Sequence, residues 1–400
     1  MRCVVFVLAT LTLVGCQDAM QPAQPTTSLP LAQGGSGSYE IVDLGTLDQT
    51  NGGGGGGSRA VAINSHGQVV GSSRTGVGEP QPWGVRHAFL WENGVMSDLG
   101  SLGQLSEATA INDLGQVVGR YVTSSFEERA FIWQSGVMQD LGTVNGAYAI
   151  NNRGQVMTWR GLWQDGVLRD LGTLGGAATR GRGLSADGQV VGESQTATGE
   201  THAFLWTDGV MQDLGTLGGT YSAAFAISET GDVTGESSDP SGQKHAFLWR
   251  DGVMQDLGLL PGYSASQGIV INPRGDVAGQ TSDPSKYGVH AFFWADGALH
   301  DLGTLGGPST IVQALGARGQ VAGRSLRGAS VSSAHAFVWE DGTLQDLGTL
   351  PSWEYSEASA LNANGDVVGT SQQYADGDMY RAVLWRRVGG SPAAQVASTR

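Results

Sequence analysis

Five of the seven histidines, His87, His202, His245, His290 and His335, open a recurring His-Ala-Phe element, and each is followed by an aspartate: Asp98, Asp213, Asp256, Asp301 and Asp346. Imidazole with carboxylate is the raw material of a metal site, of general acid–base chemistry, or of a plain structural pair. A shared metal is excluded by the repetition itself, since equivalent residues of successive repeats are set apart in space and cannot converge on one ion at about 2.0–2.1 Å. The pairing reading is geometric. A two-residue turn at Asn93-Gly94 sets Trp91 opposite Met96 and Phe89 opposite Asp98, which leaves Asp98 diagonal to His87 on one face and within its reach. Two repeats carry arginine in the histidine position, so Arg129 with Asp140, and Arg381 with Asp43, keep a cation beside the acid. These pairs are read as structural, and neither metal nor cofactor is expected.

A second set of residues suits acid–base work. Four positions before the Ile or Leu of an alternating run stand Arg59, Glu107 and Glu357, in the first, second and last repeats. Where first and last repeats adjoin, two carboxylates flank a guanidinium, an arrangement for binding a polar ligand or for glycoside hydrolysis. The alternative is an ion-pair cluster closing a solvent-filled channel. Aromatic residues between the repeats, Tyr221, Trp353 and Tyr355 with Tyr148 and Tyr263, would stack on sugar rings or peptide side chains, or pack between repeats. Other chemistry is missing: the Gly-rich run 52–57 precedes no helix, Asp376-Gly377-Asp378 is too short for a calcium loop, and no nucleophile elbow occurs.

The elements that position these residues recur about every 43 residues, as Ala-Ile-Asn-x-x-Gly-Gln-Val-Val-Gly, then His-Ala-Phe-Leu-Trp, x-Asp-Gly, and Val-Met-Gln-Asp-Leu-Gly. Asp-Leu-Gly begins at 43, 98, 140, 170, 213, 256, 301 and 346, so only the third unit, with a spacing of 30, is short. Each unit holds four short apolar or alternating runs, here strands a to d, with an Asn-x-x-Gly turn between a and b. Between c and d, Asp-Gly or Asn-Gly specifies a type I′ hairpin. Eight c strands end in tryptophan, the last at Trp385, yet a lone d strand at residues 39–45 precedes the first unit. The missing piece of the last unit therefore lies at the other end of the chain. This predicts an all-β fold, an eight-bladed β-propeller closed by the N-terminal strand, which leaves no open sheet edge.

His-Ala-Phe-Leu-Trp recurring with Asp-Leu-Gly-Thr-Leu-Gly-Gly resembles the bacterial extracellular HAF-repeat family over residues 39–385. The resemblance implies export and a propeller-like fold, and brings no agreed activity. Trp159-Arg160-Gly161-Leu162-Trp163 departs from its motif.

Composition agrees with an exported, folded body. A net charge of −15 excludes a basic nucleic-acid binder, and 40 % hydrophobic residues with 11 Trp supply a core despite 64 Gly. Both cysteines, Cys3 and Cys16, precede that body, which therefore has no disulfide. Residues 4–14 form an apolar run of signal-peptide length, and Leu13-Val14-Gly15-Cys16 resembles a lipoprotein box in which Cys16 takes the lipid. By the same analogy Gln17 favours the outer membrane. Residues 17–38, rich in Pro, Gln, Thr and Ser, read as a tether of about 25 Å reach. The expected organisation is a signal peptide 1–15, lipidated Cys16 with tether 16–38, a propeller 39–385 and a tail 386–400. It reads as a monomer held to the membrane by its anchor alone.

In a propeller the ab and cd turns share one face, here nearly uniform, and the bc and da loops share the other, which varies. The variable face is where a ligand is expected, a glycan, peptide or protein. An envelope enzyme acting on carbohydrate at the channel mouth and a purely structural envelope protein are the alternatives.

Overall fold

A computed structural model describes residues 29–30, 37–48, 57–76, 85–159, 161–283, 288–374 and 379–388. The signal segment, Cys16, nearly all of the tether, the Gly-rich run to Gly56, Asp376 to Asp378 and most of the tail lie outside the described residues. So do the middles of the first, sixth and eighth bc loops.

The chain is an eight-bladed β-propeller: eight antiparallel sheets, each with four consecutive repeat strands, stand in a ring. Blade 1 consists of Ser58–Ile63, Val69–Arg74, Arg86–Glu92 and Val95–Asp98, in the spatial order a, b, c, d. Strand b of each blade opens with a buried pair, one residue to each face, because a neighbouring blade covers each; Val69, Val70, Val190 and Val191 are fully buried. The core is accordingly divided among the seams. One cluster joins Leu44, Val368 and Leu384 of blade 8 to Val69, Phe89 and Trp91 of blade 1. All seven cd hairpins have positive φ at both turn residues, as at Asn93 (52°) and Gly94 (88°), the conformation a type I′ turn requires. The lone helical element among the described residues is a 3-10 turn at Val331–Ser333.

Blade 8 joins the chain ends. Tyr355–Leu361, Val367–Gln373 and Met379–Val388 supply strands a to c, and Ser38–Asp43 adds as strand d, in register from Ser38 opposite Val388 to Asp43 opposite Val383. A two-residue strand, Leu29–Pro30, pairs outside it with Ile41 and Glu40. The third repeat, despite its length, builds a complete blade from Ala147–Ile150, Val156–Thr158, Gly161–Gln164 and Val167–Asp170. Its missing residues come out of the bc connection, reduced there to Trp159 and Arg160.

Two recurring devices hold blade to blade. At each Asp-Leu-Gly corner the aspartate accepts the amide of the glycine two residues on, at 2.7–2.9 Å in all eight blades, and that glycine has positive φ. The corner frees one carbonyl, and at seven of the eight corners a hydroxyl from strand a of the next blade takes it. Ser106 Oγ donates to Gly100 O at 2.5 Å and accepts Ala88 N at 2.9 Å, while Ser58 does the same for Gly45 and Ala382 across the chain ends. At the opposite end of the channel, the asparagine of Asn-x-x-Gly donates to the equivalent backbone carbonyl of the next blade. Asn64 reaches Asn112 O, Asn112 reaches Asn151 O, and Asn362 closes the ring onto Asn64 O at 3.3 Å.

Two stability measurements follow. Deleting residues 38–43 exposes the blade 8 edge and removes the burial of Tyr39 (1 % exposed) and Ile41 (3 %), each worth about 1.5–3 kcal/mol. The melting temperature should fall far more than on deletion of 17–28; equal effects would contradict closure. Ser106→Ala strands the Ala88 amide in the core and should cost about 1–3 kcal/mol by urea unfolding.

Candidate functional site

The repeated pairs lie along the outer part of seven blades, between strands c and d. His87 Nδ1 is 2.9 Å from Asp98 Oδ2, and the distances for His202–Asp213, His245–Asp256, His290–Asp301 and His335–Asp346 are 2.9, 2.7, 3.4 and 2.9 Å. Arg129 stands 3.0 Å from Asp140, and Arg381 3.9 Å from Asp43. Phe89 sits opposite Asp98 and Trp91 opposite Met96, so the diagonal is the one set by the hairpin register. Burial works to raise the Asp98 and Asp346 carboxyls, but the histidine hydrogen bond and the Gly amide outweigh it and hold both below the usual range. Burial pushes Asp43 up, with the Gly45 amide and Arg381 opposing it. Among the described residues no three His, Cys, Asp or Glu side chains converge as metal ligands.

The triad of Arg59, Glu107 and Glu357 needs correction. Adjoining blades carry the three, but each carboxylate is committed elsewhere. Glu107 accepts Arg120 Nε at 2.9 Å and Nη2 at 2.5 Å, and the same guanidinium holds Glu128. Glu357 accepts the Tyr355 hydroxyl at 2.7 Å and Arg324 at 3.0 Å, while Arg59 stacks 4.5 Å over the Tyr380 ring. Arg120 stands directly opposite Glu107 on strand b of the same blade, whereas Arg324 reaches Glu357 from strand b of blade 7. Burial pulls the nearby Arg86 down, with Glu107 opposing it. With both carboxylates neutralised by guanidinium, the cluster reads as ion pairs lining the channel rather than as an acid and a base.

Two of the three aromatic candidates also change role. Tyr355 is buried (7 % exposed) with its hydroxyl tied to Glu357, and Trp353 packs partly buried against the seam of blades 7 and 8. Both lie at the start of strand a, where a neighbouring blade covers them. Tyr221 carries Lys244 over its ring at 4.2 Å; burial, then Glu236, push its hydroxyl up to about 12.

An open pair of aromatic rings lies instead at blade 3. Its bc connection is too short to cover the variable face, and Trp159 (42 % exposed) and Tyr148 (45 %) stand uncovered, ring centroids 6.5 Å apart and tilted by 51°. Beside them runs a cavity of about 450 Å³, lined by Tyr148, Trp159, Arg180, Arg182, Phe225 and Gln267. Arg180 stacks over the Trp159 ring at 5.2 Å and Arg182 over Phe225 at 4.9 Å. Arg182 is also bonded to Glu193, whereas Arg180 forms no ion pair among the described residues. A second cavity of about 220 Å³ shares Trp159 as a wall and reaches Asp170, Gly172 and Thr179. The volume of the larger one is that of ordinary ligand sites, and its lining mixes the three rings of Tyr148, Trp159 and Phe225 with two guanidiniums and the Gln267 amide. Sequence spacing located the short repeat but marked Trp159 only as a departure from the motif.

No protein-family model matches the sequence, and no curated protein does. Solved structures with similar folds include TolB from Acinetobacter baumannii (9 % identity, TM-score 0.38, 80 % of this chain and 63 % of that one). They also include Porphyromonas gingivalis dipeptidyl peptidase 4 (10 %, 0.49, 82 % and 60 %). A third is oligogalacturonate lyase from Vibrio parahaemolyticus (8 %, 0.43, 91 % and 98 %). The chain spans about three fifths of the length of the first two.

The histidine pairs make a pH prediction. A carboxyl held low contributes stability that is complete above its unfolded-state pKa of about 3.9 and is lost as pH falls through the folded value. His335→Ala releases Asp346 from that hold. Its acid-unfolding midpoint, followed by tryptophan fluorescence, should move to higher pH than in the parent; an unchanged midpoint would show that the pair carries no stability.

Proposed function

We propose that the protein is an exported scaffold, lipid-anchored at Cys16 to the outer membrane of the cell envelope as a monomer, that binds a glycan, peptide or protein through its variable face. The observation that carries this reading is the shortened bc connection of blade 3, which leaves Trp159 and Tyr148 uncovered above a 450 Å³ cavity. Exposed aromatic rings of this size lose water readily and cost little conformational entropy when ligated, which is why they concentrate at binding sites. The leader 1–15, the Cys16 box and the HAF-type repeats support export, and the net charge of −15 weighs against nucleic acid as partner. Neither the channel glutamates nor the histidine pairs offer an unneutralised acid beside a base, so binding is preferred to turnover.

The test uses the full chain in detergent, screened against glycan and peptide arrays and against peptidoglycan, beside Trp159→Ala. The variant should keep its melting temperature within a few degrees and lose about tenfold or more in affinity, the equivalent of about 1.4 kcal/mol. Full binding by the variant would move the site off blade 3, and no binding by either protein would favour a structural role.

A further inference from the structure

The defect in the third repeat does more than uncover a tryptophan. Seven of the eight Asp-Leu-Gly aspartates have a histidine or arginine partner within their blade. Asp170 has none among the described residues: Trp159 holds the sequence position of the histidine, two before Gly161, and Gly161 stands opposite Asp170 where six other blades carry phenylalanine. Its Oδ1 accepts the Gly172 amide at 2.8 Å, and the carboxylate is exposed to the 220 Å³ cavity. On the other side of Trp159 the 450 Å³ cavity holds Arg180, the guanidinium without a carboxylate. Among the described residues, the indole thus stands between a carboxylate without a cation and a cation without a carboxylate.

Resting on the binding reading above, we propose that this cleft takes an acidic oligosaccharide in which a uronic acid adjoins a neutral sugar. The uronate carboxylate pairs with Arg180, whose planar fork suits bidentate carboxylate binding. The C–H face of a pyranose lies against the Trp159 and Tyr148 rings, which form a corner tilted by 51°. The neighbouring sugar in the smaller cavity donates hydroxyls to Asp170, an acceptor-only group at neutral pH. Asp170 also sets selectivity. It repels a second carboxylate, so a chain charged on every residue is disfavoured against one in which acidic and neutral units alternate. Two cavities sharing one wall fit a ligand of at least two rings.

The experiment measures binding of the full chain in detergent to glucuronate-, galacturonate- and mannuronate-containing oligosaccharides, each with and without alternating neutral hexoses. Each is also tested as its carboxyl-reduced counterpart. The alternating acidic forms should bind about tenfold or more tighter than their reduced counterparts, and Arg180→Gln should bring the two together. Asp170→Asn should narrow the preference for alternating over fully charged chains, and Trp159→Ala should remove binding of all. Equal affinity for acidic and reduced forms, a preference that survives Arg180→Gln, or no uronate bound at all would overturn the proposal. If peptides or neutral glycans bind and Trp159→Ala abolishes that, the scaffold reading stands without it. If Trp159→Ala alters no binding, the site on blade 3 falls as well.

Discussion

The Asp-Leu-Gly corner is the interaction on which the ring depends. A carboxylate takes the amide two residues ahead, the glycine turns with positive φ, and strand d ends at a fixed place. Ending it there leaves one strand-c amide and one carbonyl unpaired in a dry seam, where each would cost about 1–3 kcal/mol. A hydroxyl of the next blade satisfies both, as Ser106 does for Ala88 and Gly100. A turn inside one blade is thereby converted into a bond between two. Because the same latch recurs as Ser58 with Ala382 and Gly45, the ring closes with the chemistry that builds it.

Much of this architecture is legible in the sequence because its causes are local. The type I′ turns need particular residues, the strands alternate, and an unmatched d strand before the first repeat has one place to go. The His–Asp diagonal follows from hairpin register alone. What could not be read depends on reach between strands. Spacing puts Glu107, Arg59 and Glu357 in equivalent positions of neighbouring blades, but the guanidiniums of Arg120 and Arg324 lie nearer the acids. Aromatic type says nothing of cover, so Trp353 and Tyr355, alike in sequence to Tyr148, turn out to be packed where Tyr148 is open. Asn-x-x-Gly reads as a turn, and its second use, bonding to the next blade, exists only once the ring brings the carbonyl within reach.

The proposed binding site lies where repetition fails. Seven blades satisfy the same acid with a histidine or arginine from strand c, and their uniformity is what a ring of equal sectors needs. Blade 3 keeps its four strands but gives up the cation, the phenylalanine and the cover over its inner edge. Those losses leave Asp170, Trp159 and Arg180 with unspent bonding capacity on one stretch of surface. The strands on either side of Trp159, Val156–Thr158 and Gly161–Gln164, are built into the ring and hold both ends of the connection that carries it.

Joining Ser38 to Val388 also governs how the molecule comes to be folded. The partners are 350 residues apart, and closing a loop of that length costs about 5 kcal/mol of chain entropy before any contact rewards it. Seven blades can assemble in order as the chain emerges, each hairpin local and fast. The eighth must wait for the last strand, with the first held in reserve and a bare sheet edge at hand for another chain to occupy. Assembly therefore ends on its most hazardous step, and loss of the strand Met379–Val388 would yield not a slightly smaller propeller but an open one, prone to join its neighbours edge to edge.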